Sequence, residues 1–402
     1  MSAATRPASK ASGAASDSTA AVEASRRPSE RDQEAWRCVD LGAVDAFTNN
    51  AQMAVLARST ADSGRPILQT SVWGRTHLNV GWFDDVDDTL DLERCAELGV
   101  QVIRRPFAGG GTAFYDAGCA VMWGVLFPKG AGHDDLDAEI ARVKPIVIDA
   151  LERIGLGDVT FRGSADLRWE RDRKLGGVSS GDFGKVVSVG GFLNIRPPNM
   201  DLYLQVVRVP DEKFKDKLVS DMREVVCTAQ EVAGRDVSYE EFRDALFASV
   251  RAAGIALINE PLTEVEQGAL AKISQRIASD DSVRRISSDR FRAEAPVGTR
   301  VGLANHKGKK LCRAGVAIDA SGTIVAAMMA GDMHVAPPDT LDQVAVALVG
   351  APASDPDALR ARIGGVWEAP AVHQADATMG VTTDDLLTAV TKAAAAAQGT
   401  TS

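Results

Sequence analysis

Two arginines and three consecutive glycines stand close together in the segment VIRRPFAGGGTAFYD, residues 102–116. Arginine presents a fork of N–H donors that suits phosphate or carboxylate. Glycine lets the backbone take positive φ and lets amide N–H groups approach an anion. The segment therefore predicts a strand, an anion-binding glycine loop, an acidic residue and a second strand, although a glycine-rich hairpin with arginines facing water is the alternative. The candidate binding residues are Arg104, Arg105, Gly109, Gly110, Gly111, Thr112 and Asp116.

A second group lies in the segment RKLGG, where Lys174 comes just before Leu175, Gly176 and Gly177. A lysine on a tight glycine turn places a compact positive charge, which near a phosphate-binding loop could contact a phosphate and a carboxylate together. Activating a carboxylate with a nucleotide needs such a charge, because two anions approach and negative charge grows in the transition state. The alternative is an exposed lysine in a hairpin.

The cysteines and histidines give weaker signals. Cys227 could act as a nucleophilic thiolate beside a cation, or it could simply be buried on a helix edge. His77, close to Arg75, could line a pocket or could be a satisfied or surface histidine. The histidines lack metal-site spacing and no CxxC pair occurs, so neither a zinc site nor a disulfide framework is indicated. This pattern favours a reducing cytoplasm. The cysteines are Cys38, Cys95, Cys119, Cys227 and Cys312.

Length and charge narrow the class of protein. A chain of 402 residues predicts two to three domains. A net charge of −10 argues against a nucleic-acid partner, because such proteins gain affinity from basic surface. No apolar run is long enough to span a membrane. Neither GxxxxGK[ST] nor GxGxxG occurs, which disfavours P-loop and dinucleotide-binding folds.

Helical and strand patterns predict the elements around these residues. Apolar spacing indicates helices at 43–59, 85–99 and 134–156, the last bent at Pro145, and a strand at 67–73. Capping boxes at Ser238 and Thr263 predict two further helices. The predicted units are a disordered tail (1–33), a catalytic domain (34–282), a linker (283–302), an accessory domain (303–370) and a C-terminal helix and tail (371–402).

These segments together resemble the lipoate–protein ligase A family of the biotin/lipoate protein ligase superfamily. VIRRPFAGGGTAFYD is similar to the family's Arg-Arg, glycine-rich, Tyr-His-Asp signature. Asp166 followed by DRKLGG resembles its Asp and Gly-Arg-Lys-Ile-Ser-Gly element, whose lysine is the essential one. From Leu303 the chain resembles the small accessory domain of the long ligases. The resemblance covers roughly residues 40–370 in family order.

The resemblance implies an α+β fold: a catalytic domain with a mixed sheet and helices, then a small α+β accessory domain. It implies that ATP and a free carboxylic acid form an acyl-adenylate, which a lysine of a lipoyl-domain-like acceptor protein then attacks. Arg75, Arg104, Arg105 and the glycines would bind the acyl-adenylate. Lys174 would bridge carboxylate and α-phosphate, and Asp166 or Asp116 would assist Mg²⁺.

Several positions depart from the family's pattern. The histidine of Tyr-His-Asp is replaced, leaving Phe114-Tyr115-Asp116. Thr76-His77 replaces the Gln-Asn after Gly-Arg, and Val189 stands where the histidine of His-Gly-Thr is expected. Trp123 and Phe107 are bulky substitutes in the region of the acyl tunnel. Because a few groups shape a pocket, the acid could differ from lipoate. An ATP-independent acyltransferase using Cys227 and a non-catalytic acyl-binding protein remain the alternatives.

Overall fold

The computed structural model describes residues 34–106, 109–130, 132–162, 166–208, 224–374 and 380–399. The tail predicted at 1–33 lies outside the described residues, as does the segment 209–223. None of the helices in the described ranges is long and apolar enough to cross a membrane. The described helices are α1 (Ala46–Ser63), α2 (Val86–Thr89), α3 (Leu92–Glu97), α4 (Leu136–Arg153), α5 (Met200–Val206), α6 (Ala229–Ala233), α7 (Tyr239–Ala252), α8 (Glu264–Ile277), α9 (Asp280–Val283), α10 (Ser288–Glu294), α11 (Thr340–Leu348), α12 (Pro356–Trp367) and α13 (Thr383–Ala397).

Eight of the sixteen described strands form one large mixed sheet in the spatial order β11-β1-β2-β6-β10-β9-β8-β7. β1 runs parallel to both β2 and β11, and the other neighbours are antiparallel. The described strands are β1 (Ala35–Val44), β2 (Ile67–Trp73), β3 (His77–Val80), β4 (Gln101–Arg104), β5 (Ala113–Tyr115), β6 (Ala120–Pro128), β7 (Thr160–Arg162), β8 (Asp166–Trp169), β9 (Arg173–Asp182), β10 (Val186–Asn194), β11 (Ala256–Asn259), β12 (Arg300–Lys307), β13 (Leu311–Ile318), β14 (Ile324–Gly331), β15 (Val335–Ala336) and β16 (His373–Gln374).

Helices cover both faces of the large sheet. Apolar residues of α4 and α7 pack on one face with Trp123 and Val189, and α1 packs on the other face with Val39 and Leu126. Each strand sends alternate side chains to opposite faces, so both faces bury apolar groups. This mixed sheet with helices confirms the predicted α+β class.

A second, three-stranded sheet has the order β4-β3-β5. β3 is parallel to β4 and antiparallel to β5. The glycine loop between β4 and β5 therefore crosses over the central strand β3 and is not the turn of a hairpin, which was the alternative for this segment.

The accessory unit is a three-stranded sheet, β12-β13-β14, with α11, α12 and α13 packed on it. Leu386 and Val390 of α13 are fully buried in this core, although the sequence pattern assigned that helix to a separate C-terminal segment. Phe83, from the loop before α2, is buried in the same cluster. The backbone carbonyl of Phe83 also accepts a hydrogen bond from Gly331 N–H at 2.8 Å, so the two units are joined by packing and by backbone contacts.

A buried ion pair holds α8 against the edge of the large sheet. The two terminal guanidinium nitrogens of Arg37 on β1, Nη1 and Nη2, donate to the Glu266 carboxylate at 2.6 and 2.7 Å. The hydrogen bonds from Arg37 lower the pKa of Glu266 from 4.5 to about 2. Because the pKa falls on folding, the pair stabilises the fold above pH 4.5, and that contribution is lost as the pH falls towards 2.

We expect Glu266→Gln to lower the free energy of unfolding at pH 7 by about 2 kcal/mol, because a charge-assisted pair becomes a neutral hydrogen bond. Urea denaturation of both proteins from pH 7 to pH 2 would measure this. The difference between them should shrink below pH 4.5. Glu264→Gln, at an exposed position of the same helix turn, is the matched control. A difference that stays constant down to pH 2 would contradict the assignment.

Candidate active site

Lys174 lies near the start of β9 with its ammonium group facing an acid on the neighbouring strand. Its Nζ is 2.8 Å from Oδ1 of Asp166 on β8, and the carboxylate also accepts a hydrogen bond from Arg168. About a third of the lysine side chain remains exposed. The hydrogen bonds from Lys174 and Arg168 outweigh burial and lower the pKa of Asp166. Lys174 is therefore anchored by an ionised acid while part of its side chain stays accessible.

The glycines after Lys174 allow β9 to approach β10 closely. A Cβ atom on Gly176 would lie 2.3 Å from the Phe192 carbonyl oxygen, and one on Gly177 would lie 2.9 Å from the Phe192 ring. Neither distance can be accommodated without moving the backbone or the half-buried Phe192 ring. The glycine pair therefore shapes the strand contact, and the lysine Nζ lies 5.7 Å from the centre of the Phe192 ring.

A cavity of about 870 Å³ opens beside Lys174. One wall comes from β9, α6 and the residues before α6, and another from β5, the residue before β6, the end of β10 and α5. Its size and largely apolar lining suit a small organic ligand with a few polar contacts. Of the predicted site residues, Lys174 and Thr112 line it. The other lining residues are Ala113, Phe114, Tyr115, Cys119, Arg173, Phe192, Asn194, Arg196, Pro197, Pro198, Asn199, Met200, Asp201, Tyr203, Val226, Thr228 and Glu231.

Arg104 does not face this cavity. Its side chain is 1 % exposed, and its guanidinium donates to backbone carbonyls in the loop before α2 and around α9. Burial lowers the pKa of Arg104 to about 10, so it stays charged at neutral pH. Every N–H of the fork has a carbonyl acceptor, which leaves no donor for an anion in this conformation. The carbonyls belong to Gly81, Trp82, Asp84, Ser282, Val283 and Ile286.

Arg105 holds the glycine loop in place. Its Nη2 donates to the carbonyls of Gly109, Gly110 and Gly111 at 2.8, 3.2 and 2.9 Å, and its Nη1 donates to the Asn79 carbonyl at 2.9 Å. Because three successive carbonyls turn inwards to one guanidinium, the amide groups between them turn away from it. Arg105 thus holds the loop from the side on which these three carbonyls lie.

The accessory unit also contacts the glycine loop. Gly110, at φ +85°, donates its N–H to the Met333 carbonyl at 3.2 Å. A Cβ on Gly109 would lie 2.0 Å from the same oxygen. The amides of Gly111 and Thr112 make no hydrogen bond within the described ranges and remain available to an anion. The loop therefore presents only part of its backbone to a ligand, and the rest binds the accessory unit.

The remaining predicted residues take supporting positions. Thr112 donates its hydroxyl to Asp84 at 3.0 Å. Asp116 accepts from the Thr76 hydroxyl at 2.6 Å and from the Ala117 N–H at 2.9 Å, which fixes the turn before β6. Arg75 is exposed and is not among the residues that line the cavity.

The acids near the site do not form a metal cage. Asp166 is occupied by Lys174 and Arg168, and Asp116 by backbone and hydroxyl donors. Among the described residues no group of three or more His, Cys, Asp or Glu side chains is placed to hold a metal. These residues therefore do not fit a Mg²⁺ site built from protein ligands.

None of the five cysteines has the environment of an activated thiol. All are buried, and burial raises the pKa of each, to about 11 for Cys119 and Cys227 and to about 12 for the others. A thiol with such a pKa is almost entirely protonated at neutral pH. Cys227 donates its N–H to the Lys174 carbonyl at 3.0 Å, and Cys119 lines the cavity. Cys119 and Cys227 therefore lie close to the site, but their surroundings do not stabilise a thiolate.

Comparison with known proteins settles the family. The model of the lipoyl protein ligase A/B catalytic domain matches residues 45–251, about half of the chain. The chain belongs to this family. The matched range contains both the glycine loop and Lys174, so the resemblance predicted from these motifs is confirmed.

Among curated relatives, octanoyltransferase LipM of Moorella thermoacetica is 25% identical over 277 residues, which covers 63% of this chain and 98% of that protein. Lipoate-protein ligase A subunit 1 of Thermoplasma acidophilum is 26% identical over 200 residues, covering 47% of this chain and 72% of that protein. The relatives thus include one named as an acyltransferase and one named as a ligase subunit.

Two solved structures share the fold. A bipartite lipoate protein ligase from Thermoplasma acidophilum, studied with its E2 lipoyl domain, superposes with a TM-score of 0.53 at 22% identity, covering 62% of this chain and 96% of that one. LipL1 of P. falciparum, in complex with lipoate, superposes with a TM-score of 0.57 at 11% identity, covering 89% of this chain and 99% of that one. The second match extends over the accessory unit as well as the catalytic domain.

Sequence reasoning missed much of the cavity wall. Phe192, Asn194 and Arg196 come from the end of β10 and the loop after it, and Tyr203 comes from α5. Phe192 and Asn194 lie in the segment VSVGGFLNI, residues 187–195, which was not among the predicted site segments. Alternation from Gly190 would have placed Phe192 and Asn194 on one face.

Proposed function

We propose that this member of the lipoyl protein ligase A/B family is an ATP-dependent ligase. It activates a free carboxylic acid as its acyl-adenylate and transfers the acyl group to a lysine of a lipoyl-domain-like acceptor protein. The observation that carries the proposal is the placement of Lys174 at the wall of the 870 Å³ cavity, anchored by Asp166. The acid is lipoate or a related acid of similar length.

We infer a role for each group. The ammonium of Lys174 bridges the carboxylate of the acid and the α-phosphate of ATP, which brings two anions together and stabilises the charge that develops as they react. The free amides of Gly111 and Thr112 offer further donors to phosphate oxygens. The rest of the cavity wall is largely apolar and suits the acyl chain. The chemistry proceeds by positioning and electrostatics, with no protein nucleophile.

The charge on Lys174 serves both steps. Carboxylate attack on the α-phosphate forms an acyl–phosphate bond, breaks the bond to pyrophosphate and releases pyrophosphate. The acceptor lysine amine then attacks the acyl carbon, and AMP leaves as the amide forms. Lys174 stays close to the α-phosphate throughout, so it stabilises the leaving group in the second step as well.

The test supplies the acyl group in two forms to the same acceptor lipoyl domain. One reaction contains free octanoate or lipoate with ATP, and the other contains an octanoyl thioester of an acyl carrier without ATP. Mass spectrometry of the acceptor reports the added acyl group. The proposal expects modification in the first reaction and none in the second; the reverse pattern would overturn it.

A second candidate is ATP-independent transfer from a thioester to a lysine. The relatives named octanoyltransferase LipM favour it, as does the closeness of Cys119 and Cys227 to the cavity and to Lys174. In that reaction a thiolate attacks the thioester, the carrier thiol leaves, and the acceptor amine displaces the enzyme sulfur. The raised pKa of both thiols disfavours it.

We expect Cys227→Ser to keep ATP-dependent ligation within about twofold of wild type, because the thiol is not the nucleophile and serine is a near-isosteric replacement. Initial rates with saturating acid and ATP measure this, and a thermal melt reports any loss of folding from the buried hydroxyl. Cys312→Ser, in the accessory core, is the matched control for a buried thiol far from Lys174. A folded Cys227→Ser protein that has lost ATP-dependent ligation would contradict this expectation.

A further inference from the structure

Two neighbouring aromatic residues, Trp73 and His77, are buried, and each has a ring nitrogen with no partner among the described residues. Trp73 is 2 % exposed and His77 is fully buried. Within the described part of the chain, neither Nε1 of Trp73 nor Nε2 of His77 has a hydrogen-bond partner. Buried polar atoms are nearly always paired in native proteins, so two unpaired atoms on adjacent rings require an explanation.

The two nitrogens are complementary. Nδ1 of His77 is 3.1 Å from the Arg75 carbonyl oxygen, which can only accept, so the ring proton sits on Nδ1 and Nε2 is an acceptor. Burial lowers the pKa of His77 to about 4, so the ring is neutral at physiological pH. Trp73 Nε1 is a donor. The ring centres lie 4.2 Å apart, so a donor and an acceptor lie on adjacent rings.

The pair stands directly behind the cavity wall. The ring of Tyr115 lies 5.1 Å from that of Trp73 and 5.2 Å from that of His77. Trp73 also packs with Cys119. Both Tyr115 and Cys119 line the cavity that contains Lys174. A side-chain movement of Tyr115 would therefore connect the cavity to the two nitrogens.

Further unpaired polar atoms lie on the same strand faces. Gln69 is four residues before Trp73 on β2, and Asn79 is two residues after His77 on β3, so alternation puts each on the face of its partner. Oε1 of Gln69 and Oδ1 of Asn79 are buried and unpaired within the described ranges. An acyl chain ending in methyl or methylene groups would leave all these atoms unpaired.

We propose that the acid recognised by this enzyme carries a neutral group that both donates and accepts hydrogen bonds, a hydroxyl or an amide, at the end remote from its carboxylate, and that Trp73 and His77 bind it. The inference rests on the proposed function for the carboxylate end at Lys174. It makes Trp73 and His77 the specificity-determining residues of the acyl pocket. A neutral histidine acceptor and an indole donor favour an uncharged polar group over a second carboxylate or an ammonium.

The experiment measures binding of three acids of equal chain length by calorimetry without ATP. The acids are octanoic acid, its ω-hydroxy derivative and the matching ω-amide. We expect the polar acids to bind wild type at least about tenfold tighter than octanoic acid, because a site built to hydrogen-bond a group rejects the analogue that lacks it. Equal binding of all three, or tighter binding of octanoic acid, would overturn the inference.

Two substitutions test whether Trp73 and His77 cause the preference for the polar acids. Trp73→Phe and His77→Phe each remove one unpaired nitrogen and keep a ring, so each should reduce the preference to about threefold or less while octanoic acid binds as before. Trp367→Phe is the matched control, because Trp367 is a buried indole in the core of the accessory unit, where its Nε1 donates to the Val381 carbonyl. Thermal melts establish folding. If neither ring variant folds, the wild-type preference alone decides.

The outcome separates this inference from the proposed function. Adenylation of all three acids with equal efficiency would overturn the inference and leave the ligase intact. A preference for the polar acids that depends on Trp73 and His77, with no ATP-dependent activity on any acid, would uphold the pocket assignment and overturn the ligase.

Discussion

Replacing Lys174 with alanine is expected to reduce ATP-dependent ligation by about a thousandfold, because one preorganised positive charge is removed from the point where two anions must meet. The loss should appear in kcat, since the charge acts most strongly on the transition state. The rate of acyl transfer from free acid and ATP to a lipoyl domain measures it. Folding should be little affected, because the side chain is one-third exposed and Asp166 keeps Arg168 as a partner.

Two further variants make this result specific. Lys185→Ala removes an exposed lysine from the turn between β9 and β10 and should leave the rate unchanged. Lys174→Arg keeps the charge but replaces a compact ammonium with a planar fork, and should recover only part of the activity. A Lys174→Ala protein that retains most of the wild-type rate would contradict the role given to this residue.

The second large effect concerns stability. Arg104→Ala is expected to lower the free energy of unfolding by about 4 kcal/mol, because several buried carbonyls lose their donor at once. These carbonyls belong to the loop before α2 and to the α9 region, so the two segments should separate. Urea denaturation followed by tryptophan fluorescence measures the loss.

Arg58→Ala removes a highly exposed arginine of α1 and should change stability by about 0.5 kcal/mol or less. Arg104→Lys keeps the charge but cannot reach the same carbonyls, so it should be intermediate. An Arg104→Ala protein that unfolds like wild type, but needs much more ATP or acid to reach its maximal rate, would instead support the ligand-binding role predicted from the Arg-Arg signature.

Local sequence signals predicted many elements. The strand at 67–73 and the capping box at Thr263 appear as predicted, because each depends on neighbours in the chain. The helix predicted at 85–99 is two helices, because Leu90 turns extended to bridge Val207 and Asp91 caps a new helix through Arg94 N–H. The start of the helix predicted at 43–59 belongs to β1, whose partners β2 and β11 lie far along the chain.

The site was harder to predict because residue type does not fix the direction of a side chain. Lys174 was identified from its glycine neighbours, and it lines the cavity together with Thr112. Arg104 and Arg105 are adjacent in sequence, yet Arg104 donates to backbone carbonyls around α9 and Arg105 donates to those of the glycine loop. Those partners come from distant segments. The contact between Gly110 and Met333 likewise depends on how the accessory unit docks.

The most direct test of the ligase is acid-dependent exchange of labelled pyrophosphate into ATP, measured without any acceptor protein. Exchange requires reversible formation of an acyl-adenylate, so it isolates the first step. We predict exchange that needs a free carboxylic acid and disappears in Lys174→Ala. Absence of exchange with every acid tested, while an octanoyl thioester still modifies a lipoyl domain without ATP, would contradict the ligase and establish acyl transfer instead.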